Sequence, residues 1–267
     1  MTLAQQYATG LAREHIEHAL VLSGLDLNNL RRGDLAPLED FHTMGRIATG
    51  QLAELAQIER CDEVLDAGSG IGGTARYLAD RFGCRVTTVD LTEEYCKTSR
   101  WLNHLVGLDD YISVHHGDVT DLPFSSASFT VVMSQHVQMN VADKSRLYEE
   151  ARRVLRSRGR LAIWDITAGE PGELDFPLPW ADRPALSHLD SGNQLRATIE
   201  FAGFTVTHWS DVTEEAATIM EIFLRAPPGP LGLHIFVDNF VEKANNLVRG
   251  LSNGRLCAVQ ALAEVRS

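Results

Sequence analysis

Val64-Leu65-Asp66-Ala67-Gly68-Ser69-Gly70-Ile71-Gly72-Gly73-Thr74-Ala75-Arg76 runs from an apolar strand stub, through four glycines in six positions, into a helix. Glycines at such a junction turn the backbone tightly and let its N–H groups approach a ligand with no side chain between. The helix behind them, from about Gly72 to Arg81, directs the positive end of its dipole at the same place. The next strand, Arg85-Val86-Thr87-Thr88-Val89-Asp90, ends in a carboxylate that can accept two hydrogen bonds from a ribose.

Strand, glycine turn, helix and acidic strand end together predict a nucleoside-cofactor site. Gly68, Gly70 and Gly73 also satisfy the dinucleotide fingerprint, so these residues alone leave the cofactor open. Outward from this turn the alternation continues. Strands are predicted at 63–67, 85–90, 111–116, 129–134 and 159–166, and helices at 73–82, 92–106 and 143–156. The runs 129–134 and 160–166 are apolar at nearly every residue, which suits a mostly parallel sheet covered on both faces. An α/β architecture follows, with the carboxyl ends of strands one, two and four beside one crevice.

Residues 1–60 read as a helical cap with helices at 11–23 and 45–59; the loop 38–43 between them is placed to cover a ligand. Residues 61–267 form the cofactor domain. Its insertions near 168–190 and 211–250 are lid material, because Pro and Gly interrupt the alternation there. A helix at 192–202, a strand at 205–210, helices at 214–223 and 238–247 and a strand at 256–265 complete the chain.

The 267 residues carry 24 Lys and Arg against 36 Asp and Glu, a formal charge of -12, which argues against a nonspecific grip on nucleic acid. No apolar run is long enough to span a membrane, and the start lacks a secretory pattern. Cys61, Cys84, Cys96 and Cys257 are scattered without metal spacing, so the expectation is a cytoplasmic protein with mostly buried thiols; no metal-ligand set is singled out, and metal dependence stays open. A monomer or homodimer acting on a small molecule is expected.

Gly117-Asp118-Val119 follows the third strand, where Asp118 can accept from an exocyclic adenine amine and the loop backbone can read a ring nitrogen. Leu91 is placed to pack on a purine face. The fourth strand runs into Ser134-Gln135-His136-Val137-Gln138-Met139-Asn140, polar residues at the topological switch point. His136 is the candidate general base, since imidazole titrates near neutrality; a capping or core histidine is the alternative. Asn140 is read as a cap for the following helix or as a partner for His136 or substrate. His42, Trp180 and His234 are further candidates for touching substrate, Trp180 as an apolar wall or cation face.

The chain resembles the class I S-adenosylmethionine-dependent methyltransferases, in the small-molecule branch that includes sarcosine/dimethylglycine N-methyltransferases and ubiquinone/menaquinone-type enzymes. Residues 64–73 resemble that family's first motif, with Ser69 where Cys or Gly is usual. Gly117-Asp118, Leu122-Pro123-Phe124 and Phe129-Thr130-Val131-Val132 resemble its next block, with Thr130 in place of Asp. Arg153-Val154-Leu155 through Gly159 resembles its Arg-Val-Leu-Lys-Pro-Gly-Gly turn, and the segments around 231–236 and 254–256 resemble the sarcosine/dimethylglycine group.

The resemblance implies a Rossmann-like sheet of order 3-2-1-4-5-7-6 with an antiparallel last strand. It implies methyl transfer from S-adenosylmethionine to an N or O nucleophile, with carbon a third option. Asp66, Gly68, Ser69, Gly70 and Gly72 would then lie near the methionine portion, with Ser134 and Gln135 beside its amine. Asp90 and Leu91 would flank the ribose and adenine, and Asp118 and Val119 the adenine. An NAD-dependent oxidoreductase and a non-catalytic nucleoside-binding module are the rival readings.

Overall fold

The structure is a computed structural model that describes residues 7–8, 10–227 and 229–266. Among the described residues the strands are β1 (Glu63–Ala67), β2 (Arg85–Asp90), β3 (Ile112–His116), β4 (Phe129–Gln135), β5 (Leu155–Ala168), β6 (Phe204–Asp211) and β7 (Leu256–Val265). They form one sheet in the order β3-β2-β1-β4-β5-β7-β6. The first five pair in parallel, and β7 runs antiparallel between β5 and β6. Asp66 pairs in register with Thr88 on one side and Met133 on the other, so the ends of β1, β2 and β4 lie side by side. The chain reverses direction across the sheet between β1 and β4, and the crevice opens there.

Helices α1 (Ala12–Leu22), α2 (Arg46–Leu55), α3 (Gly73–Phe82), α4 (Glu93–Leu105), α5 (Lys144–Val154), α6 (Gly192–Phe201), α7 (Thr213–Arg225) and α8 (Phe240–Ser252) surround the sheet. The two-residue period of β4 sorts its side chains between two cores. Val131 and Met133 pack with Leu52 of α2, Leu78 of α3, Ala216 of α7 and Leu247 of α8. Val132 packs on the other face with Leu147 and Tyr148 of α5 and Leu195 and Ile199 of α6. Leu147, Ala151 and Val154 lie on one stripe of α5, and Asp143 starts that helix by accepting from the Arg146 amide at 3.0 Å.

A third core joins the N-terminal segment to the cofactor side of the sheet. Ile16 and Leu20 of α1 pack with Leu35, Leu38, Ile71, Tyr95 and Leu102 of α4, and Phe236. Residues 32–38, read from sequence as connector, form a 3-10 helix (Arg32–Leu38) whose start is held by the Asp34 side chain. β5 begins four residues earlier than expected. Its pairing with β4 slips between Phe129↔Leu155 and Val131↔Arg160, and Arg158 in this bulge takes a positive φ of 61°. Among the described residues no helix is long and apolar enough to cross a membrane.

Candidate active site

The crevice holds a cavity of about 370 Å³ at the carboxyl ends of β1, β2 and β4. Asp66, Gly68, Ser69, Gly70, Ile71, Gly73 and Thr74 form its floor. Gly68 and Gly70 have φ of 82° and 54°, a left-handed geometry that L residues rarely take. A Cβ on Gly68 would lie 2.4 Å from Val137, whereas the space beside Gly70 is open. The amides of this turn, expected to point at a ligand, fold inward instead. Gly68 and Ser69 donate to Val89 O at 2.8 and 3.1 Å, and Gly70 donates to Asp90 Oδ2 at 2.8 Å. The turn therefore offers close approach and bare backbone more than a ring of free donors.

The two acids are held differently. Asp90 Oδ1 accepts from the Thr92 amide at 2.8 Å and Oδ2 from Gly70, and the Thr92 hydroxyl is a third donor, which leaves the carboxylate room for one further donor. Asp66 accepts from the Ala75 amide, but its Oδ2 is buried without a partner. Burial, with Asp90 and Asp40 nearby, pushes its carboxyl up to about 7. The Ser69 hydroxyl is likewise buried and unpartnered. A buried carboxylate oxygen with no donor fits a ligand that brings a cation or an N–H of its own. Leu91, Gly117, Asp118, Val119 and Thr120 line the next part of the cavity. Asp118 Oδ1 takes the Thr120 amide and hydroxyl at 2.8 and 2.7 Å, leaving Oδ2 for an outside donor.

Beyond the turn lie two histidines. His136 takes φ 54°, held there by its amide bond to Trp164 O at 2.9 Å and by Asp165, whose Oδ2 accepts from Val137 and Gln138 at 3.1 Å each. Its Nε2 faces Thr43, whose amide lies at 3.2 Å and hydroxyl at 3.1 Å. Trp164 Nε1 donates to that hydroxyl at 2.8 Å, so the Thr43 proton is directed at His136. An amide N–H can only donate, so Nε2 is the acceptor and the ring proton sits on Nδ1. Burial and the neighbouring His42 hold the ring's pKa well below the usual value.

This geometry opposes the general-base reading of His136: Nε2, which would take a proton, is occupied by Thr43, and the ring proton lies on Nδ1. His42 is also neutral. It bonds Thr43 O through Nδ1 at 3.2 Å, takes Gln135 and Thr49 on Nε2, and burial lowers its pKa to about 4.

The outer wall is aromatic. Tyr7, Phe41, Tyr95, Trp180 and Phe236 all line the cavity, and Tyr95 meets Tyr7 and Phe236 edge-on at 6.2 and 6.3 Å. The Tyr7 hydroxyl crosses to Asn140 Oδ1 at 3.1 Å. Behind the glycine turn, Arg76 is fully buried and donates to Glu39 at 2.6 Å, while Arg46 reaches Glu39 at 2.6 Å and Asp40 at 2.7 Å. This cluster pins the segment after the Arg32–Leu38 helix onto α3. Gly73 permits the approach, since a Cβ there would lie 2.6 Å from that of Glu39.

Of the residues singled out from sequence, Asp66, Gly68, Ser69, Gly70, Asp90, Leu91, Asp118, Val119, Gln135, His136, His42, Asn140 and Trp180 line this cavity. Three do not. Gly72 backs onto Ser99, and Gly73 takes its place in the wall. Ser134 points to the opposite face of β4, into a small void with Val132 and Tyr148. His234 is exposed on a short turn whose neighbours Leu233 and Phe236 face inward. Gln135 is braced by Thr74 at 2.9 Å and by His42, so its amide is committed to the protein. Asn140 does not cap α5, since Asp143 does.

Tyr7, Tyr95 and Phe236 were missed. Their helical or connector patterns read as core, and only the third core brings them to the cavity. Among the described residues no group of His, Cys, Asp and Glu is arranged to hold a metal.

Residues 65–163 match the model of a methyltransferase domain. A glycine/sarcosine/dimethylglycine N-methyltransferase of Actinopolyspora halophila is 33% identical over 178 residues, 67% of this chain and 32% of that protein. The chain thus spans about a third of that relative's length. A sarcosine/dimethylglycine N-methyltransferase of Halorhodospira halochloris is 30% identical over 200 residues, 74% of this chain and 71% of the relative. In structure, the chain is similar to a geranyl diphosphate C-methyltransferase from Streptomyces coelicolor A3(2) that holds Mg2+, geranyl-S-thiolodiphosphate and S-adenosyl-L-homocysteine. The TM-score is 0.69 at 17% identity, covering 99% of this chain and 98% of the other, a likeness of fold.

Proposed function

Because this chain belongs to the S-adenosylmethionine-dependent methyltransferases, we propose that it transfers a methyl group to a small-molecule acceptor bound between the glycine turn and the aromatic wall. The unpartnered Asp66 Oδ2 beside the bare turn is the observation that carries this reading. When bound, the cofactor would supply a sulfonium methyl to an acceptor N, O or C atom, with S-adenosylhomocysteine as the leaving group.

The chain's own work is placement and exclusion of water. Asp66 would hold a cationic amine, Asp90 a ribose hydroxyl and Asp118 Oδ2 an amine at the purine edge, beside Leu91 and Val119. His136, neutral and fixed by Thr43, would donate from Nδ1 to the acceptor's heteroatom and orient its remaining lone pair toward the methyl; as the new bond forms and the C–S bond breaks, the acceptor's proton is released to bulk water. The proposed setting is the cytoplasm, which the exposed thiol of Cys61 supports.

The test is incubation with methyl-labelled S-adenosylmethionine and a host metabolite extract, followed by mass analysis. One or more labelled small molecules are expected. Cofactor binding with no labelled product from any acceptor would overturn the transfer reading in favour of a binding module. Preferential binding of NAD would favour the oxidoreductase.

A further inference from the structure

The charged side chains in the cavity wall are Asp40, Asp66, Asp90, Asp118 and Asp143. Among the described residues the wall has no Lys or Arg. The nearest guanidiniums lie behind it: Arg76 is buried on Glu39, and Arg46 holds Glu39 and Asp40. Both cavity histidines are tied into neutral tautomers by amide and carbonyl partners. The chain as a whole carries a charge of -12, so the long-range field has the same sign.

The aromatic wall of Tyr7, Phe41, Tyr95, Trp180 and Phe236 lines the same cavity as two uncharged donors. His136 presents Nδ1–H, its Nε2 being occupied by Thr43. Asn140 accepts from Tyr7 through Oδ1, which leaves its Nδ2 amide to donate. Two neutral donors set against an aromatic wall match an oxygen on an apolar body. They offer no full positive charge to a carboxylate or phosphate, and among the described residues the wall supplies no cationic side chain for one.

Resting on the methyl-transfer reading above, we propose that the acceptor is an uncharged, largely apolar molecule presenting a hydroxyl or carbonyl oxygen to His136 and Asn140. Free amino acids and phosphorylated compounds are then poor acceptors, and this chain differs in specificity from the sarcosine- and dimethylglycine-methylating relatives that it resembles in sequence.

The test uses the full chain loaded with S-adenosylhomocysteine and a neutral and an anionic probe on one scaffold. Methyl 4-hydroxycinnamate and 4-hydroxycinnamate are titrated in parallel, with dimethylglycine and sarcosine as the amino-acid arm. The ester is expected to bind at least ~10-fold more tightly than the acid, a difference of about 1.4 kcal/mol. Leu233→Arg, which brings a cation into the wall, is expected to narrow that ratio.

Equal or tighter binding of the acid, binding of neither phenol, or methylation of dimethylglycine or sarcosine from labelled S-adenosylmethionine would each overturn the assignment. The two levels are separable. A chain that binds S-adenosylhomocysteine but prefers acids loses only the acceptor assignment. A chain that does not bind it loses the methyl-transfer reading as well.

Discussion

Thr43 directs two protons at one atom of His136: its amide lies 3.2 Å and its hydroxyl 3.1 Å from Nε2, and the hydroxyl is itself oriented by Trp164 Nε1 at 2.8 Å. A histidine held this way carries its proton on Nδ1, and the role proposed for it is to orient the acceptor's heteroatom. On the acceptor identified by label transfer, His136→Ala should lower kcat by ~10²-fold or more. His136→Asn, whose amide nitrogen reaches near the Nδ1 position, should retain more activity than Ala. The affinity for S-adenosylhomocysteine should stay within a few-fold in both.

The same network makes a prediction about pH. Burial lowers the pKa of His42 to about 4 and that of His136 well below its ordinary value. Both rings should remain neutral across the range where a free histidine titrates, about pH 6 to 7. Their Cε1–H resonances should not shift there, and kcat should show no acid limb from His136. A limb near pH 6.5 that vanishes in His136→Asn would restore the base role.

Asp66 should make cofactor affinity pH-dependent in the opposite region. Its folded pKa, raised to about 7 chiefly by burial, lies above the unfolded value. The empty site therefore favours the protonated acid below about pH 7, and ionisation supplies the partner for a cationic amine only above it. Affinity for S-adenosylhomocysteine, measured by calorimetry, should rise from about pH 6 to about pH 8 and then level. Asp66→Asn should bind more weakly and show a flatter profile.

The cap is held to α3 by a buried ion cluster, and breaking it should be costly. Arg76 contacts Glu39 at 2.6 Å, Ile71 O at 2.8 Å and Asn103 Oδ1 at 3.0 Å, all within the interior. Burial raises the Glu39 pKa, and its guanidinium partners oppose that shift. Arg76→Leu leaves this carboxyl short of a partner and should destabilise the fold by about 3–5 kcal/mol, read from denaturant unfolding. Gly73→Ala should also destabilise it, by about 1–3 kcal/mol, because the added methyl meets Glu39.

The glycine-turn side of the candidate cavity was legible because its residues lie close in sequence. Strand, turn and helix follow one another within 64–76, and Asp90 and Asp118 end the next two βα steps, so topology alone brings them together. The aromatic wall draws on distant segments. Tyr7, Tyr95 and Phe236 meet Phe41, from the loop expected to cover a ligand, only through packing of the third core.

The misses at Ser134 and Gly72 are failures of orientation within correctly found elements. A one-residue step on a strand reverses the face, and a single glycine in a turn points either at the ligand or at the neighbouring helix. The tautomer of His136 was beyond sequence, because Thr43 lies 93 residues away and reaches it only in the folded chain.

Titration of S-adenosylhomocysteine into the wild-type chain and into Asp90→Ala bears most directly on the claim that the crevice over β1, β2 and β4 is the cofactor site. Saturable one-to-one binding is expected for the wild type. The variant should be weaker by ~10-fold or more, since hydrogen bonds to a charged group contribute about 1.5–3 kcal/mol. The same dissociation constant for both proteins would contradict it.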